Sequence, residues 1–137
     1  MAGYSGTPLL KKIGIKTAHR VALVNMPSGF REELGPLPDD AQIVKDGKAE
    51  SLDVIVFFAK NQSTLLAALP ALKARLAPSG MLWAAWPKKA SGVVSDLSEN
   101  FVQKSGLSQG LVDIKVCAIN DIWSGLKFVI PLKDRKK

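Results

Sequence analysis

Three short apolar runs constrain this chain more than any other feature: RVALVNM at 20–26, DVIVFFA at 53–59 and MLWAAW at 81–86. RVALVNM is a continuous β-branched and aliphatic run of strand length, the pattern of a strand buried on both faces rather than one. DVIVFFA is the strongest strand signal in the sequence, and MLWAAW reads as a further buried strand. Between the last two, Leu65, Leu69, Leu72 and Leu76 recur at the spacing of one helical face, with Leu66 beside them. Strands alternating with helical stretches predict a parallel sheet covered on both faces and joined by right-handed crossovers.

The remaining segments fit around that frame. Thr7-Pro8 reads as an N-cap followed by proline at the first helical position, and Gly14 as the stop after PLLKKI. REELGPLPDD leaves room for about one helical turn, and AQIVK at 41–45 is a short strand near a sheet edge. Pro70 interrupts the leucine pattern, predicting a kink or two short helices in series, and Pro78-Ser79-Gly80 reads as the end of that helix. Asp96 with Glu99 reads as a capping box opening a helix through Leu97, Phe101 and Val102, stopped by Gly106 or Gly110. Finally LVDIKVCAI and GLKFVIPL are separated only by NDIWS, too short for a crossover helix, so they read as a hairpin. The expected fold is a single α/β domain over 1–137: a Rossmann-like three-layer sandwich, its sheet mostly parallel with an antiparallel C-terminal hairpin strand. Residues 1–6 read as a flexible lead and 133–137 as a basic tail.

At 137 residues and 47% apolar side chains, such a domain needs no disulfide or metal staple. The lone cysteine, Cys117, lies in an apolar run and reads as a small core residue suited to a reducing cytoplasm, and no membrane span or signal peptide is read. The formal charge is +7, of which Lys133, Arg135, Lys136 and Lys137 against Asp134 contribute +3. The only histidine, His19, precedes the first strand on the wrong edge for a site, and one histidine with one cysteine is too few ligands for a metal.

The order of elements resembles the Rossmann-like fold of class I methyltransferases. LAPSGMLWAAW stands where those enzymes carry a Leu-Lys-Pro-Gly-Gly turn into their fifth strand, and the terminal hairpin stands in place of their antiparallel final pair. RVALVNMPSGF occupies the place of their glycine-rich loop without the Gly-x-Gly, and one strand–helix unit is missing between AQIVK and DVIVFFA. Asp46 is the one residue placed for the ribose-binding acid that the resemblance implies. AGYSGTPL at 2–9, WPKKASG at 86–92 and WSGL at 123–126 further resemble a bacterial family of short proteins, a domain of unknown function.

In an open α/β sheet, ligands sit outside the carboxyl ends of the parallel strands. The residues leaving those ends are Asn25 with Pro27, Ser28 and Gly29 after the first strand, Lys60 and Asn61 after DVIVFFA, and Pro87, Lys88 and Lys89, followed by Ser91 and Gly92, after MLWAAW. With the last strand beside MLWAAW, Trp123 and Ser124 join them. Lysines, hydroxyls, backbone N–H groups and an indole suit an anion on a flat body, although paired lysines also serve simply to solvate a strand end. With no acid–base pair in view, the expectation is a non-catalytic protein with an anion-accepting crevice for a nucleotide or phosphorylated metabolite. S-adenosylmethionine is disfavoured as cofactor because the Gly-x-Gly loop is absent after the first strand and because ammonium groups suit its sulfonium poorly. The alternatives are a reduced S-adenosylmethionine-dependent methyltransferase, and a nucleic-acid or protein interaction module using Lys11-Lys12 and the basic tail.

Overall fold

A computed structural model describes residues 8–45 and 50–135. Six strands form one sheet in the order β2-β1-β3-β4-β6-β5. They are β1 (Arg20–Val24), β2 (Gln42–Ile43), β3 (Leu52–Phe58), β4 (Leu76–Pro87), β5 (Val112–Ala118) and β6 (Trp123–Val129). The pairs β1–β2, β1–β3 and β3–β4 are parallel. β6 inserts antiparallel between β4 and β5, so the sheet is mostly parallel and closes on an antiparallel pair, as the apolar runs predict.

Both faces are covered. On one side α3 (Gln62–Ala74) and α4 (Glu99–Ser108) press Leu65, Leu69, Leu72 and Val102 onto Ile55, Phe57, Leu82, Ala84 and Phe128. On the other, α1 (Leu9–Ile13) and α2 (Phe30–Leu34) bring Ile13, Phe30 and Leu34 against Val54, Val56, Phe58, Trp83 and Trp123. Successive side chains along each central strand enter opposite layers, so no polar position interrupts the runs. α1 stops at Gly14, whose φ of 93° lies in the left-handed region. Thr7, the expected cap, lies outside the described residues.

Three local expectations are corrected. The leucine helix is one continuous element through Pro70, not two in series. Pro78-Ser79-Gly80 does not end it: the helix stops at Ala74, and these residues form an irregularity within β4, where the register steps from Leu52↔Leu76 to Val54↔Met81. Asp96 does not cap α4. Ser98 does so by accepting from the Phe101 N–H at 3.2 Å, while Asp96 reaches across to α3 and accepts from the Gln62 N–H at 2.8 Å. The Gln62 side chain returns a bond to the Asp96 carbonyl at 2.9 Å.

Asp96 thus ties the segment after β4 to the start of α3. Asp96→Ala is expected to lower stability by about 1 kcal/mol, the usual cost of a lost cap, and the melting temperature by roughly 4 °C. Thermal denaturation followed by circular dichroism measures it; an unchanged midpoint would show that the tie contributes nothing.

Between β2 and β3 the chain spans only 44–51. That is too short for the additional strand and helix of a full methyltransferase-like sheet.

Candidate functional site

The chain leaves β1 toward β2 on one side and builds β3 and β4 on the other, so the strand order reverses between β1 and β3. At the carboxyl ends of these two strands lies a cleft of about 340 Å³. Asn25, Met26 and Pro27 line one wall, and Phe58, Lys60 and Asn61 the other, with Thr64 of α3 and Trp123 of β6 completing it. A second cleft of about 410 Å³ lies on the β2 side of β1, between Leu23 and Val24 of that strand and Ile43, Val44 and Lys45. Asn25 and Met26 line both, so the two cavities flank a single step of chain at the end of β1.

The backbone at that step is unusual. Asn25 has a φ of 57°, a left-handed conformation that asparagine adopts more readily than most side chains. It turns the chain sharply where β1 ends and delivers Met26, 44% exposed, to the rim. Gly29, also left-handed at φ 87°, then leads into α2 with open space around its Cα.

The far wall is fixed by aromatic packing. Phe58 meets Phe30 edge-on at 4.8 Å and Trp123 edge-on at 5.0 Å, contacts that each contribute roughly 0.5–1.5 kcal/mol beyond burial. Trp123 is expected in a loop, but it is the first residue of β6, paired with Pro87 and 4% exposed. Its N–H and that of Ile122 are held by the Asn120 side chain, each at 2.9 Å. At the start of α3, the Asn61 side chain accepts from Thr64 N–H at 2.8 Å and from the Ser63 hydroxyl at 3.0 Å.

Of the residues placed at this edge by sequence, Asn25, Pro27, Lys60, Asn61 and Trp123 line the cleft together. Lys88, Lys89, Ser91, Gly92, Ser124, Ser28 and Gly29 line neither cavity. The Lys88 N–H donates to the Ile122 carbonyl at 2.8 Å, which brings the two loops together. The Ser91 hydroxyl donates to the Lys88 carbonyl at 2.6 Å and accepts from the Val93 N–H at 3.2 Å, closing its own turn. Ser124 pairs with Trp86 and so faces the layer opposite Trp123. Sequence reasoning missed Met26, Phe58 and Thr64. Only the Asn61–Thr64 pair carried a legible signal, the spacing of an N-cap.

Asp46 lies outside the described residues, and no described carboxylate lines either cleft. Cys117 is half-buried, and burial pushes its thiol above the ordinary value against the opposing pull of Lys12 and Lys115. Among the described residues no three His, Cys, Asp or Glu side chains gather as metal ligands, and no helix is long and apolar enough to cross a membrane.

No protein-family model and no curated protein matches the chain. Solved structures do. It is similar to a SAM-dependent methyltransferase from Aquifex aeolicus, with a TM-score of 0.63 and 16% identity over 90% of this chain and 88% of that one. A TehB-like SAM-dependent methyltransferase from Corynebacterium glutamicum aligns over 95% and 91% of the two chains, with a TM-score of 0.59 and 12% identity. Aeropyrum pernix fibrillarin, in complex with natively bound S-adenosyl-L-methionine, aligns over 88% and 73%, with a TM-score of 0.58 and 12% identity.

These neighbours overturn two expectations. The chain expected to be a non-catalytic anion-binding protein shares its overall fold with SAM-dependent methyltransferases, and a neighbour of that fold was solved with S-adenosyl-L-methionine bound, which favours the methyltransferase-like alternative and its cofactor over the anion-binding expectation. The arguments against it rested on a missing glycine loop and on the lysines of the edge; in the structure the chain makes a left-handed turn at Asn25 where β1 ends, and Lys88 and Lys89 line neither cleft. At these identities the likeness establishes the architecture: a single-sheet, methyltransferase-like Rossmann fold.

Proposed function

We propose that this chain is a reduced methyltransferase that binds S-adenosylmethionine across the end of β1. The observation that supports this most directly is the pair of clefts meeting at Asn25 and Met26, at the point where the strand order reverses. Each falls within the roughly 300–1,000 Å³ typical of small-molecule sites, and together they suit an elongated ligand. The apolar wall of Leu23, Val24, Ile43 and Val44 fits a flat heterocycle. Lys60, beside Asn25 in the other cleft, fits a carboxylate. When bound, the cofactor would supply an electrophilic methyl group. The chain's own part is positional: Met26 separates the two cavities, and Phe58 and Trp123 give the acceptor side a rigid apolar wall that excludes water.

Isothermal titration calorimetry with S-adenosylmethionine and S-adenosylhomocysteine tests the reading. Saturable heat at one site per chain is expected, and its absence at high ligand concentration would remove the proposal. Met26→Trp fills the step shared by the clefts and is expected to weaken binding more than about tenfold, a loss of roughly 1.4 kcal/mol. Because Met26 is substantially exposed, the melting temperature should stay within about a degree or two of the parent.

A further inference from the structure

On the layer of the sheet that carries α1, the terminal hairpin presents a group of ammonium ions unrelated to either cleft. Lys115 of β5 and Lys127 of β6 are direct register partners, and Lys127 in turn lies opposite Trp83, whose indole donates to the Ile13 carbonyl of α1. Directly opposed like charges destabilise an antiparallel pair. Burial pushes the half-buried Lys127 ammonium below its ordinary value, and Lys115 and Lys16 act in the same direction. From α1, Lys12 reaches the Ala118 carbonyl at 3.1 Å, and Lys12 and Lys115 both act on Cys117 between them. Among the described residues Lys16, Lys115 and Lys127 form no ion pair.

The fold therefore holds Lys12, Lys16, Lys115 and Lys127 on one surface, and no described carboxylate pairs with the last three. From Lys115 to Ala118 the strand advances about 10 Å. That spread is too long for one tetrahedral anion and suits successive phosphates along a polymer, whose charges recur every few ångströms. A chain of net charge +7 adds long-range attraction for the same partner.

We propose that this face of the hairpin, with Lys12, Lys16, Lys115 and Lys127, docks the phosphodiester backbone of a nucleic acid. Recognition is by charge rather than by base edges, so it positions a strand without reading sequence. This surface shares Lys12 with the basic pair read from the sequence but includes neither Lys11 nor the basic tail, and it does not depend on methyl transfer.

The test is fluorescence anisotropy with labelled single-stranded RNA and duplex DNA over a salt series. It uses the full chain, the double variant Lys115→Gln/Lys127→Gln, and a deletion of 133–137. The parent should bind with an affinity that falls steeply with salt. The double variant should lose at least about tenfold at low salt and reduce the slope by about 2, and the tail deletion should do less. Because the double variant removes a repulsive pair, its melting temperature should equal or exceed the parent's. A parent that binds neither nucleic acid, or binds only anionic phosphatidylserine vesicles, overturns the inference. So does a double variant that binds like the parent, binding that vanishes only with the tail, or a double variant less stable than the parent.

Discussion

Trp83→Ala should destabilise the chain by about 4–5 kcal/mol, at the upper end for removal of a large core side chain. Trp83 is 0% exposed and sits near the middle of β4, the strand flanked by β3 and β6. It packs in the layer formed with Ile13, Val56 and Trp123. Its Nε1–H donates to the Ile13 carbonyl at 2.8 Å, pinning the end of α1 to the sheet. Truncation opens a cavity too large to collapse and removes that bond together with the packing. Total stabilities of such domains are only about 5–15 kcal/mol, so much of the population should be unfolded at modest urea concentrations. Trp83→Phe keeps most of the apolar area and should lose about half as much. A urea-melt difference below about 2 kcal/mol for the alanine variant would mean that α1 and β4 are not coupled through this side chain.

Gly106→Ala should be destabilising by about 2–3 kcal/mol, against the ordinary expectation for a helix interior, where replacing glycine by alanine gains up to about 1 kcal/mol. The reason is proximity. A Cβ on Gly106 would stand 2.1 Å from Cε1 of Phe128, and Phe128 is itself 0% exposed and hemmed into the layer beneath α4. Neither partner has room to move without parting α4 from β6. Trimming the ring in the same chain, Gly106→Ala with Phe128→Leu, should recover part of the loss. The double-mutant cycle should show a coupling of more than about 0.5 kcal/mol. Additive losses would show that the helix shifts freely and the contact is slack.

The sheet could be read from the sequence because burial on both faces leaves continuous apolar runs that need no periodicity to be seen. The hairpin could be read because NDIWS is too short for any other connection. Errors arose where a residue's role is decided by a partner distant in the chain. Pro78-Ser79-Gly80 looks like a turn, yet Gly80 lies where a Cβ would be 2.6 Å from the Leu52 carbonyl oxygen, so glycine serves there for close strand packing. Asp96 has the spacing of a cap for α4, but its acceptor oxygen faces a helix that starts 34 positions earlier. Local spacing carries no trace of that.

The site was legible to the same depth. Strand ends can be located in a sequence, which places Asn25, Lys60 and the neighbourhood of Trp123 at one edge. Which way the chain turns afterward cannot be located, so Met26 and Thr64 escaped notice, as did the bond by which Ser91 closes its own turn. Absent glycines also weighed too heavily against the methyltransferase-like reading, because a left-handed turn after β1 requires a backbone conformation, and asparagine can adopt it.

The insertion of β6 between β4 and β5 sets a condition on synthesis of the chain. β4 keeps one unpaired side, and β5 has no neighbour at all, until residues 123–129 have left the ribosome. From the completion of β4 until then the growing polypeptide therefore exposes a long open edge rich in tryptophan and alanine, the kind of edge that recruits stray strands. β6 is the strand that joins β5 to β4, so a ribosome stalled before Trp123 would release an aggregation-prone fragment rather than a smaller folded protein.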